Sequence, residues 1–132
     1  MIFEMTTQVR VSNIKEGHKW YETLLNKKAD FIPHDGFVEW ELIPGCWLQV
    51  AEGNLTARNG PLRLGVTNIE FERERLIKEL NIGSFEIHSR PEVPVIWGTF
   101  TDPWGNHLGF FEYLDKNEEQ ERVKTIIGKI EV

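Results

Sequence analysis

The chain has 132 residues, of which 40% are hydrophobic and 27% charged, and its formal net charge is −6. This composition predicts a single globular domain, and an acidic balance without a basic cluster disfavours nucleic acid as the main partner. The lone Cys46 excludes an internal disulfide, the first ten residues lack a signal-peptide pattern, and no stretch is apolar enough to span a membrane, so we expect a cytoplasmic protein.

The first predicted elements are a strand and a helix, and their pattern returns 55 residues later. Val11-Ser12-Asn13-Ile14 is matched by Val66-Thr67-Asn68-Ile69. In the first copy, Ser12 or Asn13 can cap the helix. Apolar or small residues then recur at helical spacing. They are Ile14, Gly17, His18, Tyr21, Leu24 and Leu25 in the first copy, and Ile69, Leu76, Ile77 and Leu80 in the second.

Three short strands are predicted after each helix. They cover residues 28–33, 37–43 and 46–51 in the first half, and residues 84–88, 93–102 and 107–113 in the second. Residues 48–52 also match residues 108–112, at a shift of 60. Two matching blocks whose shifts differ by five predict a duplicated βαβββ unit with one loop insertion, and chance similarity is the alternative.

A tight turn is predicted at Asp102-Pro103-Trp104-Gly105-Asn106, between the last two strands. Pro103 fixes its own φ, and Gly105 or Asn106 can adopt a positive φ, so the pattern favours a hairpin. The outgoing strand carries Gly109 at its centre, where a larger side chain would be expected.

The last predicted element is a helix outside the repeat, at about residues 116–129. It begins with an acidic turn, and Val123, Ile126, Ile127 and Ile130 then follow at helical spacing. We expect this apolar stripe to dock either on its own domain or across a homodimer, because an exposed stripe favours aggregation.

The tandem βαβββ pattern, which closes on F-x-D-P-x-G-N-x-L at residues 100–108, resembles the vicinal oxygen chelate superfamily. This superfamily includes glyoxalase I, fosfomycin-resistance, extradiol dioxygenase and bleomycin-resistance proteins. The opening VRVSNI…WYETLLN is similar to its first strand and helix. The resemblance implies an α+β fold in which two modules, at about residues 5–57 and 58–113, form a curved, cupped mixed sheet with helices outside, plus the C-terminal helix. All of residues 1–132 would then form one domain.

The resemblance also implies where a metal would bind. Metal-using members carry His, Gln or Glu at four strand positions, which correspond here to Thr6, Gln49, Pro61 and Gly109. Pro61 and Gly109 offer no side-chain donor and Thr6 is a poor ligand, whereas a divalent cation needs three or more protein ligands. We therefore expect no metal at these positions and no other cofactor.

Strand alternation divides the side chains between a core face and an open, cupped face. The expected core residues are Val9, Val11, Leu48, Val50, Leu62, Leu64, Ile96, Phe100, Leu108 and Phe110. The expected ligand-binding residues on the open face are Trp47, Trp97, Phe111, Arg10, Arg63, Gln8, Gln49 and His107. A mostly apolar concavity with a few polar groups is typical of a small-molecule site. The alternative is that these aromatic residues fill the cup or pack a dimer interface.

Two classes of function follow. The first is a metal-free binding protein of the bleomycin-resistance type, a homodimer that takes up an aromatic or cationic compound. The second is an enzyme of the lyase, dioxygenase or isomerase type, with unusual metal ligands or with acid–base chemistry at His107, Arg10 or Arg63. The missing ligand residues favour the first. His18, His34 and His88 are interpreted as structural.

Overall fold

The computed structural model describes residue 1, residues 4–55 and residues 61–131, with side chains up to residue 128. The chain divides into two compact units. Unit 1 comprises Met1–Arg58 and Trp104–Asn106, and unit 2 comprises Asn59–Pro103 and His107–Val132.

Each unit contains one three-stranded mixed sheet, and among the described residues unit 1 has one helix and unit 2 has two. Unit 1 has β1 (Met5–Val11), α1 (Ile14–Leu25), β2 (Phe37–Ile43) and β3 (Cys46–Glu52), with strand order β1-β3-β2. Unit 2 has β4 (Leu62–Gly65), α2 (Ile69–Leu80), β5 (Val95–Thr101) and β6 (His107–Tyr113), with order β4-β6-β5, followed by α3 (Lys116–Glu131). In both sheets the first strand runs parallel to the central strand and the other runs antiparallel to it. The predicted α+β fold with two tandem units is confirmed, although the hydrogen-bonded strands form two sheets rather than one continuous sheet.

The short strands predicted at residues 28–33 and 84–88 are wrong as strands, because each is reduced to one isolated bridge. Phe31 pairs with Glu39 in unit 1, and His88 pairs with Trp97 in unit 2. Next to the bridge between Phe31 and Glu39, the Asp30 carboxylate accepts a hydrogen bond from the Glu41 backbone N–H at 2.7 Å. A side chain thus satisfies a donor that a strand carbonyl would otherwise have bonded.

The helix caps repeat between the units. The Asn13 side chain accepts from Glu16 N, and the Asn68 side chain accepts from Phe71 N, both at 3.0 Å. Asn13 is therefore the cap, rather than Ser12. The residues after the helices, Asn26 and Asn81, adopt left-handed backbone conformations with φ of 51° and 54°. Asparagine tolerates this conformation better than most residues, so both helices end at equivalent places.

Most of the predicted core residues are buried. Val9, Val11, Leu48, Val50, Phe100, Leu108 and Phe110 are all at most 7% exposed. Leu62, Leu64 and Ile96 are half-buried instead. In unit 1 the indole of Trp40 is fully buried and donates from Nε1 to the Lys27 carbonyl at 2.9 Å.

The turn after β5 has the predicted form, with Gly105 at a φ of 87°. Its residues Trp104–Asn106 belong to unit 1 by their contacts. The Trp104 ring meets that of Trp20 edge to face at 6.4 Å, and Asn106 Nδ2 donates to the Arg10 carbonyl at 2.7 Å.

The helix α3 is attached to unit 2 mainly through its first turns. Lys116 Nζ contacts Glu112 at 2.6 Å and the Thr67 carbonyl at 3.1 Å, and the Arg122 guanidinium lies 4.8 Å from the centre of the Tyr113 ring. Further along, Val123 and Ile127 remain 39% and 47% exposed. Within the described residues, no helix combines the length and apolar character needed to cross a bilayer.

Candidate functional site

The open face of the unit 2 sheet is built from residues that the strand register places side by side. Arg63 on β4 and Thr99 on β5 both lie opposite Gly109 on β6. Two residues further along β6, Trp97 on β5 and Gly65 on β4 lie opposite Phe111. Because side chains alternate along a strand, these residues all project from the face opposite Leu108 and Phe110.

A cavity of about 440 Å³ opens on this face of unit 2. Its lining residues are Arg63, Arg90, Val93, Val95, Trp97 and Phe111. The walls are aliphatic and aromatic, and the polar groups are two guanidinium groups. Three of the predicted ligand-binding residues, Trp97, Phe111 and Arg63, are thus brought together.

Neighbouring side chains fix the two aromatic walls. The Phe111 ring lies across Gly65, since a Cβ added there would approach its Cζ to 2.9 Å, and it meets the Tyr113 ring at a centroid distance of 6.0 Å. The Trp97 ring lies 5.7 Å from the His88 ring, and the backbones of these two residues exchange hydrogen bonds. The isolated bridge at His88 therefore supports one wall of the cavity.

Gly109 is required by close packing. A Cβ added at this position would lie 2.8 Å from the Gly98 carbonyl oxygen and 3.3 Å from Cγ of Arg63. The aliphatic stem of Arg63 thus crosses the place that a side chain at position 109 would occupy. This explains the small residue at the centre of β6.

The corresponding row of unit 1 is occupied by polar side chains that bond one another. Gln8 and Glu39 both lie opposite Gln49 in the sheet. Gln8 Nε2 donates to Gln49 Oε1 at 3.2 Å, and Gln49 Nε2 donates to Glu39 Oε1 at 2.7 Å. Their hydrogen-bonding groups are therefore committed largely to one another.

The five other predicted ligand-binding residues do not line the unit 2 cavity. Gln8, Gln49, Trp47 and Arg10 lie on the unit 1 sheet, where Trp47 is opposite Thr6 and Arg10 is opposite Ala51. His107 is the first residue of β6 and pairs with Thr101. No hydrogen bond or ion pair joins the His107 ring to another of the described residues.

Three lining residues, Arg90, Val93 and Val95, were not among the predicted site residues. Val95 and Val93 stand two and four positions before Trp97, so alternation along the predicted strand could have placed them on its face. Arg90 lies in the irregular segment before β5, where no periodicity indicates the direction of a side chain.

The side chains at the four expected metal positions do not fit a divalent cation. Thr6 is exposed on β1, Pro61 precedes β4, and Gly109 has no donor. The Gln49 amide is already bonded to Gln8 and Glu39. Within the described residues, no group of three or more His, Cys, Asp or Glu side chains could hold a metal ion.

Comparison with solved structures identifies the fold. A glyoxalase/bleomycin resistance protein from Catenulispora acidiphila superposes with a TM-score of 0.68 at 23% identity, over 83% of this chain and 97% of that chain. A fosfomycin resistance protein from Listeria monocytogenes superposes with a TM-score of 0.63 at 16% identity, over 82% and 90% of the two chains. A lactoylglutathione lyase from Agrobacterium tumefaciens does so with a TM-score of 0.60 at 13% identity, over 82% and 91%.

This chain is therefore an α+β protein of two tandem units, with the fold of glyoxalase and antibiotic-resistance proteins. This is the fold of the vicinal oxygen chelate superfamily, and the resemblance predicted from the sequence is confirmed at that level. No protein-family model matches the chain, and no curated protein does.

Proposed function

We propose that this protein is a metal-free small-molecule-binding protein of the glyoxalase/bleomycin-resistance type, and that it takes up a planar aromatic compound on the open face of unit 2. The supporting observation is the cavity of about 440 Å³ between Trp97, Phe111 and Arg63. This volume lies within the range of roughly 300–1,000 Å³ that is usual for ligand sites.

The partial exposure of the Trp97 and Phe111 rings supports a role in ligand binding over a role in core packing. The cores of the two units are filled by other residues, such as Trp40 and Phe110, whereas Trp97 and Phe111 keep part of their surface exposed. Because neighbouring groups already hold both rings, little conformational entropy remains to be lost when a flat ligand binds.

An acid–base enzyme remains the alternative, and the environment of His107 is the observation that bears on it. A general base must lie within hydrogen-bond reach of the substrate proton. His107 does not line the cavity, and none of the described residues forms a hydrogen bond that would orient its ring. Arg63 lines the cavity, but its guanidinium offers only hydrogen-bond donors and is suited to binding an anion rather than to accepting a proton.

We further propose that the protein is cytoplasmic and works as a homodimer. Cys46 is a free, half-buried thiol, as a reducing compartment allows. The side chains of Val123 and Ile127 on α3 are exposed and are suited to packing against a second copy.

The binding proposal is tested with naphthalene-2-methanol, a neutral planar probe, by isothermal titration calorimetry. Trp97→Ala removes one wall and is expected to weaken binding about fivefold, the usual scale of an aromatic contact. The matched control is Trp47→Ala, which removes an indole from the unit 1 sheet and is expected to leave the affinity unchanged. Equal affinity in the wild-type protein and Trp97→Ala would place the ligand elsewhere.

A further inference from the structure

The two units carry the same row of positions across their sheets but fill it with different chemistry. In unit 1 the row is Gln8, Gln49 and Glu39, and hydrogen bonds run from one side chain to the next. In unit 2 the row is Arg63, Gly109 and Thr99. Neither Arg63 nor Thr99 forms a side-chain hydrogen bond or ion pair with another described residue, so donors remain available beside the cavity.

The charged side chains that line the cavity are positive, although the chain as a whole is acidic. Among the described residues, the lining contains Arg63 and Arg90 and no carboxylate, whereas the chain has a net charge of −6. Glu92 approaches Arg90 only to 4.0 Å, and the two side chains are 68% and 69% exposed. An exposed pair at this distance neutralises little. The Arg63 charge has no such partner among the described residues.

The absence of a side chain at Gly109 lets the stem of Arg63 pack against the sheet. The Cγ of Arg63 lies 3.3 Å from the position of an added Cβ, so its stem packs over the bare backbone of β6. The planar guanidinium then continues from a stem that is supported by the sheet. A supported guanidinium loses less freedom on binding than a freely rotating one, and its N–H groups match the two oxygens of a carboxylate.

We infer that the unit 2 cavity selects a planar aromatic anion, with its ring against Trp97 and Phe111 and its oxyanion at the Arg63 guanidinium. The inference rests on the proposed function and specifies the chemical class of the ligand. Thr99 lies in the same row but does not line the cavity, so Arg63 is the donor on which the inference rests. A cationic compound would meet two like charges here. The walls of Trp97 and Phe111 therefore support the expectation of an aromatic ligand, whereas the two guanidinium groups oppose the expectation of a cationic one.

The test compares three probes of similar shape, which are naphthalene-2-carboxylate, naphthalene-2-methanol and naphthalene-2-methylammonium. Their affinities for the full chain are measured by calorimetry at low salt. We expect the carboxylate to bind about tenfold more tightly than the alcohol, as a charge-assisted bond at a partly screened site allows, and the ammonium to bind most weakly. Arg63→Gln, which installs the residue found at the matching position 8, is expected to abolish the preference for the carboxylate.

The control is Lys15→Gln, which makes the same change of net charge on the exposed surface of α1. It is expected to keep the preference, because the effect is local rather than one of total charge. If the alcohol and the carboxylate bind equally to the wild-type protein, or if Arg63→Gln keeps the preference, the inference about the anion is wrong while aromatic binding stands. If none of the three probes binds, both the inference and the proposed function are overturned.

Discussion

Glu112 Oε1 accepts a hydrogen bond from the backbone N–H of Ile69 at 2.7 Å, at the start of α2. The same relationship occurs in unit 1, where Glu52 Oε2 accepts from Ile14 N at 2.9 Å. In each unit, a glutamate near the end of the central strand contacts the first residue of the unit's own helix. The first N–H groups of a helix lack partners within the helix and attract negative charge, so these carboxylates stabilise the helix and tie it to the sheet.

Glu112→Ala is expected to lower the free energy of unfolding by about 1–2 kcal/mol, since it removes a helix-capping acceptor. Glu52→Ala should cost less, because Glu52 is exposed and water can replace its bond. Urea denaturation measures both. Glu86→Ala is the matched control, because this exposed carboxylate has no ion pair among the described residues. If Glu112→Ala lowers the free energy of unfolding no more than Glu86→Ala does, the contact contributes nothing to stability.

Stability is expected to fall in acid partly through Glu112. Burial raises the pKa of this carboxyl, but the hydrogen bonds from Lys116 and from Ile69 N outweigh it, and the pKa lies below the ordinary value of 4.5. A lowered folded-state pKa stabilises the protein fully above that ordinary value, and this contribution is lost as the pH falls through the folded-state pKa. Unfolding free energies measured from about pH 5 to about pH 3 should therefore decline less steeply in Glu112→Gln than in the wild-type protein. An identical slope in Glu86→Gln and Glu112→Gln would contradict this.

Gly109→Ala is expected to destabilise the protein by about 1–3 kcal/mol, the usual cost of overpacking. The closest atom to the added Cβ is the Gly98 carbonyl oxygen at 2.8 Å, and a backbone atom of the neighbouring strand cannot move aside easily. Gly83→Ala is the control, because no atom lies within 4 Å of its added Cβ and its φ is not in the left-handed region. Thermal unfolding of the two variants compares the sites, and equal melting temperatures would contradict the packing argument.

Removing apolar side chains from α3 is expected to weaken self-association. The double substitution Val123→Ser and Ile127→Ser should raise the dimer dissociation constant by at least about tenfold, because each aliphatic side chain contributes roughly 1.5–3 kcal/mol when fully buried. Sedimentation velocity across a concentration series measures this change. Gln120→Ser controls for the lower helix propensity of serine. If the wild-type chain is a monomer throughout the series, or if the double variant associates equally well, the dimer role of α3 is wrong.

Much of the fold was predictable because its signals are local. The paired asparagines show this, since Asn13 and Asn68 cap helices and Asn26 and Asn81 end them at equivalent positions of the repeat. The segments at residues 28–33 and 84–88 were predicted wrongly as strands, because the decisive contacts are not local. The carboxylate of Asp30 replaces a ladder bond, and the ring of Phe85 packs on Gly98 and stacks on Phe100 at 5.2 Å.

The candidate site was predictable only in part. Alternation along strands placed Trp97, Phe111 and Arg63 on one face, since that signal has a period of two residues. It could not place Arg90, whose position depends on an irregular segment. It also could not show that Gln49 would be engaged by Gln8 and Glu39 while Arg63 would have no partner among the described residues, because alternation gives the face of a side chain but not the hydrogen bonds that it forms there.

The unequal rows of the two sheets have a consequence for how the halves tolerate change. A substitution at Gln49 breaks two hydrogen bonds. The amide of Gln8 and the carboxylate of Glu39 each lose a hydrogen-bond partner. A substitution at Thr99 breaks no such bond within the described residues. The polar row of the first unit is thus constrained by its own hydrogen bonds, whereas no such constraint acts at Thr99 among the described residues. We therefore expect a change of polar side chain to be tolerated more readily at Thr99 than at Gln49.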